Sequence, residues 1–542
     1  MEFFNDEVKI LKGTEVFDKM ASENFLNNWK KLWFQCPWAT VYQSYDFVFP
    51  WYEIFKAENT PILITWESQD NTLLGFFPLC IANKSQLAGA GLHHAEYQLW
   101  ITSEESADYF IKQSLLLISK EFPGYTLTLN YIPENLSLEW CKDDTFWKRR
   151  IFLKSSTHPI MKINPEHLEA ELKKKNKKEK INRLKRLGDL KIKRITDFQE
   201  FENIFDELAV QNDFRKRAVY NSTTFQDSPL PKPFLLSLFR KGILHVTILT
   251  VGKEIIASNV GTIGNKCVHL QGMNTHSPKH SKFSPGILHF LMLGLLLSDE
   301  HFEVFDLTPG SDPYKSTLAN DFSTATRLEF GSPSFILIRK LANSIRNNLK
   351  PFFQKIGVNE YQLRETKRIL EVYKEKFKLA SRYRLLSNFK RSLASKRAND
   401  EWLGKRVISK QSSDNKNFLN IQRDSIGDLL HFEAIGTLCT PREFMEDALK
   451  RLEKGQVPYT ICEDNRLLFC VWRESRFPSE ICSNADSCSS TPPDFIKMYV
   501  HPTREKDADQ FRNFVIRKIG EELNERVDKR NSSTRIGATV DN

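Results

Sequence analysis

Two clusters of residues have the types and spacing that chemistry needs. Ser284, Pro285 and Gly286 open an apolar run, Ile287 to Leu297. Proline suits the first helical position and glycine leaves the backbone amides uncovered. The run therefore predicts a helix whose N-terminus can hold an anionic phosphate group. Downstream, Val304-Phe305-Asp306-Leu307 reads as a strand that brings a carboxylate to its end. The turn Thr308-Pro309-Gly310-Ser311-Asp312-Pro313 then returns Tyr314 and Lys315 toward that end. A strand-end carboxylate such as Asp306 is a general-base candidate, a phenol can give a proton to a leaving group, and a lysine can pair with a phosphate or with Asp306. Asp306 equally suits fixing the turn, and Tyr314 with Lys315 equally suits closing it.

These residues need a sheet to position them. His269 to Asn274 reads as a strand upstream of the Ser-Pro-Gly helix. Leu244–Val251 and Ile255–Thr262 read as a hairpin turned by Lys253 and Glu254. Before it, Phe198 to Asp213 carries Phe201, Ile204, Phe205, Leu208 and Ala209 at helical spacing. Glu166 to Gly188 predicts one basic helix with Leu172, Ile181, Leu184 and Leu187 as its apolar positions. Asn164 and Pro165 suit its cap and first turn, and Gly188 its end.

This order, with the wording Ser-Pro-Gly and Phe-Asp-Leu followed by a Tyr-Lys pair, resembles the CelD-like acetyltransferases associated with cellulose and other exopolysaccharide synthesis. They belong to the GNAT acyltransferase superfamily. The resemblance covers roughly residues 25 to 335. Gln43-Ser44 before aromatics and Gly75-Phe76-Phe77-Pro78-Leu79 carry it in the N-terminal part. It implies an α/β (α+β) fold of tandem GNAT-like units with acetyl-CoA or another acyl-CoA as co-substrate and no metal. It also implies roles. Phe283, Ser284, Pro285 and Gly286 would hold the carrier phosphates. The strand edge at Gly272, Met273 and Asn274 would meet the carbonyl oxygen. Asp306, Tyr314 and Lys315 would be the catalytic group. Gln211 and Arg215 stand where the family often has a His-x-x-Arg segment against the acceptor, with Gln211 in place of the histidine.

The expected organisation is an N-terminal GNAT-like half at 25–155, a central acyltransferase domain at 160–335, a basic helical linker at 336–415 and a degenerate GNAT-like domain at 416–542. Residues 1 to 24 read as a polar lead-in. In the last domain the phosphate loop is replaced by Arg504-Glu505-Lys506-Asp507-Ala508-Asp509, which has no glycine and crowds carboxylates together. The expected function is N- or O-acetylation of a sugar or cell-envelope precursor. One alternative is a FemAB-like transferase using aminoacyl-tRNA, which the basic tract at Lys173 would suit. Another is a non-catalytic scaffold in polysaccharide assembly.

Composition sets the outer bounds. At 542 residues, with 40 phenylalanines, the chain has material for several packed cores. No stretch reaches the roughly 20 apolar residues of a membrane helix, and Met1 to Glu7 lacks the order of a secretion signal. A cytoplasmic protein is expected, peripheral at the inner face of the membrane if the linker binds there. The nine cysteines are scattered and read as reduced thiols. Net charge is +10, but Arg339 to Lys410 alone holds 20 basic and 6 acidic residues, or +14. That concentration suits a solvated helix face or an anionic surface; nucleic acid enters only with the tRNA alternative.

Overall fold

The computed structural model describes residues 7–355, 360–382, 421–474 and 495–518. The chain divides into two compact units. The first comprises residues 1–209, 225–277 and 283–359, and the second 210–224, 278–282 and 360–542.

The first unit is built on one thirteen-stranded sheet. In chain order its strands are β1 (Glu7–Lys12), β2 (Thr60–Glu67), β3 (Leu73–Asn83), β4 (Gln86–Gly89), β5 (Ile101–Thr102), β6 (Thr126–Pro133) and β7 (Ile151–Lys162). They continue as β8 (Leu190–Ile195), β9 (Leu244–Val251), β10 (Glu254–Gly264), β11 (Cys267–His276), β12 (Val304–Asp306) and β13 (Asp321–Phe330). The order across the sheet is β1-β2-β3-β4-β6-β13-β7-β12-β11-β10-β9-β8, with β5 on β3. Only β4–β6 and β11–β12 are parallel among the described pairs. The expected mixed α/β architecture is what forms.

The order reads nearly alike from both edges, because the two halves exchange their last strands. β7 ends the first half yet pairs with β12 of the second, and β13 ends the second yet pairs with β6 of the first. The exchanged strands also pair with each other over ten residues, from Asp321 opposite Ile160 to Phe330 opposite Ile151. One apolar core runs beneath both halves, from Trp29, Trp51, Phe76 and Trp100 to Phe205, Phe234, Val246 and Leu328.

Two local readings change. The lead-in is structured: β1 pairs with β2 through alternating residues such as Val8 and Ile10, and helix α1 (Thr14–Met20) buries Val16 and Met20. The basic helix is two helices, here α2 (Pro165–Lys173), capped by Asn164, and α3 (Lys175–Leu187). The break at Lys174 lets each present its own apolar side. Leu168 packs beneath helix α4 (Pro285–Asp299), where a Cβ on Gly294 would lie 2.7 Å from it, and Leu184 enters a separate cluster with Leu249, Ile256 and Leu288.

In the second unit, strands Gln422–Arg423, Gln456–Glu463, Arg466–Glu474 and Phe495–Val500 form an antiparallel sheet in that order. Helix Pro441–Glu453 starts with a reciprocal Thr440–Glu443 cap and packs Phe444, Met445 and Ala448 with Phe214 and Ala218. The expected boundary at Lys410–Asn415 and terminal strand at Arg535–Asn542 lie outside the described residues.

Candidate active site

Sheet pairing places the site. β12 runs parallel to β11 for three residues, Val304 to Asp306 beside Cys267 to His269, and stops. β11 continues alone on that side. Its register against β10 shifts, so that Leu270, Gln271 and Gly272 stand opposite the single residue Gly261. A Cβ on Gly261 would meet the His269 carbonyl at 2.6 Å, so the irregularity requires glycine there. The two parallel strands therefore part just beyond His269 and Asp306. On the other side β7 runs antiparallel to β12, with Ile160 opposite Asp306, so His158 lies past the end of β12.

Three strands distant in sequence converge on Asp306, which is 3 % exposed. Its Oδ1 lies 2.6 Å from His158 Nε2 and accepts from the Thr308 backbone N–H at 2.7 Å. Its Oδ2 accepts from the Tyr97 hydroxyl at 2.6 Å and lies 2.7 Å from His269 Nδ1. The Tyr97 oxygen is also 2.9 Å from His158 Nε2. Burial would raise the carboxyl, but the hydrogen bonds from His158 and His269 outweigh it and hold Asp306 well below the usual carboxylate range. An ionised carboxylate only accepts, so both rings must donate to it. His158 then carries its proton on Nε2 and His269 on Nδ1.

Glu96 and Tyr97 come from the first half. There β4 pairs with β6 only as far as Ala88–Thr128. Beyond that point Gln98 N–H donates to the Tyr131 carbonyl (3.2 Å), Tyr131 N–H to the Glu96 carbonyl (2.7 Å), and the Gln98 side chain accepts from Asn130 N–H (3.1 Å). The chain thus fills with its own residues the slot that is open in the second half. Burial first, then the charge of Asp306, push the Glu96 carboxyl up to about 7, with Lys315 and His158 pulling it partly back. The following helix, Ala107–Glu121, has Glu104 and Glu105 just before it and Asp108 in its first turn, an environment that repels phosphate.

The Ser-Pro-Gly expectation is met geometrically. Pro285 is the first residue of α4, and Ser284 precedes it with left-handed backbone. The Lys180 ammonium on α3 donates to Ser284 Oγ at 2.8 Å, so a cation stands at the amide-rich end of α4. Gly286 faces the His276 ring, with 3.5 Å from the place of a Cβ to Nδ1. Phe283 turns its ring into the cluster under α4. Met273 is buried in the main core, and Asn274 stands opposite Asn259 in the ladder. Gly272 lies in the irregular stretch of β11.

Lys315 is buried and donates to the Thr308 carbonyl (3.1 Å) and hydroxyl (2.9 Å), closing the turn. Burial lowers its basicity, opposed by the charges of Glu96, Asp312 and Asp306. Tyr314 instead stacks on Phe290 of α4, centroids 6.2 Å apart, on the side faced by Phe305. Successive strand residues face opposite ways, so the turn brings Lys315 but not the Tyr314 ring toward Asp306. Gln211, buried, and Arg215, half-buried, lie in the second unit on the C-terminal part of helix Phe198–Tyr220. His158 and His269 were not singled out from the sequence. No spacing rule joins them, because strand pairing alone makes them neighbours. Among the described residues no cluster suits a metal ion.

Several solved structures resemble the chain, all at low identity. FemX matches at 9 % identity over 57 % of this chain and 97 % of its own, with a TM-score of 0.41. A tandem GNAT protein from the clavulanic acid biosynthesis pathway matches at 12 % over 60 % and 98 %, with 0.36. L-PGS from Bacillus licheniformis matches at 13 % over 51 % and 85 %, with 0.34. A search of curated proteins returns no match. Residues 173–316 match the family model described as an acetyltransferase (GNAT) domain. That span runs from the end of α2 to just past Lys315 and contains Lys180, the Ser-Pro-Gly start of α4, His269 and Asp306. The chain thus carries a GNAT-type acyltransferase domain, set in the second half of the thirteen-stranded sheet.

Proposed function

We propose that the chain transfers an acyl group from acyl-CoA, acetyl-CoA in the simplest case, to an amine or hydroxyl of a sugar or cell-envelope precursor of the exopolysaccharide kind. The observation that carries the reading is the Lys180 ammonium at the amide-rich start of α4, beside two parallel strands that part. A pyrophosphate would sit on the α4 amides with Lys180 and Ser284. The pantetheine arm would enter between β11 and β12, and the strand edge at Gly272 to Asn274 would meet the thioester oxygen. Asp306 orients the imidazoles around it, and Lys315 holds the turn that presents Asp306. Tyr314, stacked on Phe290, buttresses that turn. In this reading 25–155 is a half that supplies Glu96 and Tyr97, 160–335 the catalytic half, 336–415 a basic linker and 416–542 a further GNAT-like module. The linker is a proposed contact for an anionic membrane surface on the cytoplasmic side.

Isothermal titration with coenzyme A tests the carrier site. Gly286→Glu sets a carboxylate against the phosphates, and like charges so placed cost several kcal/mol. Affinity should fall by about 100-fold or more with the circular dichroism unchanged. Equal affinity in the variant would refute the site. Binding of an aminoacyl-tRNA in place of coenzyme A would favour the FemAB-like alternative.

A further inference from the structure

We propose that His158, on the strand lent by the first half, is the general base of the acyl transfer, held in its working tautomer by Asp306; this rests on the carrier reading above. Of the groups around Asp306, three are committed. Tyr97 is buried and its hydroxyl donates to Asp306. Asp306 has both oxygens occupied by four donors. His269 gives Nδ1 to Asp306 and aims Nε2 back at the β10–β11 hairpin, 2.8 Å from where a Cβ of Gly264 would be, away from the opening. His158 remains. Its Nε2 is bound to Asp306, and its Nδ1 has no partner among the described residues. Its side chain is 11 % exposed, against 9 % for His269. It stands past the end of β12.

The step balances. The acceptor's nitrogen or oxygen attacks the thioester carbon as Nδ1 of His158 takes the acceptor's proton. The new C–N or C–O bond forms, the C–S bond breaks, and the proton on Nδ1 passes to the departing sulfur to give free thiol. The anionic Asp306 stabilises the transient imidazolium.

Diethyl pyrocarbonate, which acylates neutral imidazole, reads this arrangement on the full chain by peptide mass mapping from pH 5.5 to 8. His158 should react. Acetyl-CoA at ten times its dissociation constant should slow that reaction about tenfold, since about a tenth of sites remain open. His158→Gln should bind acetyl-CoA with unchanged affinity. The proposal is overturned if His158 is inert while exposed His167 reacts, if bound acetyl-CoA gives no protection, or if His158→Gln loses carrier binding. No calorimetric binding of acetyl-CoA to wild type would refute the carrier reading itself, and the base with it.

Discussion

Glu96 sits where a carboxylate is expensive to keep. Its carboxyl titrates near 4.5 in an open chain and at about 7 in the fold. Between those values the folded protein retains a proton that the unfolded chain has released. Stability therefore falls as pH rises through that window, and the loss is complete above it. Glu96→Gln removes the effect. Relative to wild type, the variant should gain on the order of 3 kcal/mol between pH 4 and pH 8, from a difference of about two and a half pKa units at about 1.4 kcal/mol each. Urea unfolding followed by tryptophan fluorescence at both pH values measures it. A gain that is the same at pH 4 and pH 8 would mean that Glu96 is solvated. Such a carboxyl, neutral or charged near neutrality beside Lys315 and His158, also sets the local charge an approaching acceptor meets.

Among the elements, helix Pro333–Lys355 is turned inside out. Leu337, Ile338, Leu341 and Ile345 are between 54 and 64 % exposed. On other sides Ile336 is buried, Arg339 makes a two-pronged contact with Glu329, and Lys340 donates to the Lys148 carbonyl. The helix contains five basic residues and no acidic one. An apolar stripe on so basic a helix suits the surface of an anionic bilayer, where acyl boundary and headgroups answer the two chemistries. The protein should co-sediment with vesicles containing phosphatidylglycerol at low salt and be released as salt rises. Replacing Leu337, Ile338, Leu341 and Ile345 together by serine should abolish recovery. Equal recovery with neutral phosphatidylcholine vesicles would remove the electrostatic part of the argument. These elements also show what a sequence discloses. The Ser-Pro-Gly helix start was readable because its reasons are local: a fixed φ, a missing side chain, an apolar run. Asp306 at a strand end was equally local. Its hydrogen-bond partners were not, since Tyr97 and His158 lie 209 and 148 residues away. The break at Lys174 was hidden because composition there favours helix on both sides, and packing under α4 decides it.

At the scale of the molecule, the halves of the sheet are joined by more than a linker. A fragment spanning 164–355 would lack β7 and leave β12 without its antiparallel neighbour; a fragment spanning 1–163 would lack β13 and leave an edge of β6 open. Open edges with apolar faces aggregate. Each fragment alone should be insoluble, whereas co-expression of both should yield a soluble pair that elutes together on size exclusion. Independent solubility of 164–355 would show that the exchanged pairing is dispensable.

The same exchange bears on how the two halves can diverge. A half whose own slot is filled by Glu96 to Gln98 would ordinarily be free to drift or be deleted, since it no longer offers a place for a carrier. Here it cannot leave. It owns the strand that shields β12, the tyrosine that steadies Asp306 and the histidine that shares that carboxylate. The first half's last strand is thereby bound to the second half's fold, and a substitution that weakens β7 would be inherited as a defect of the second half.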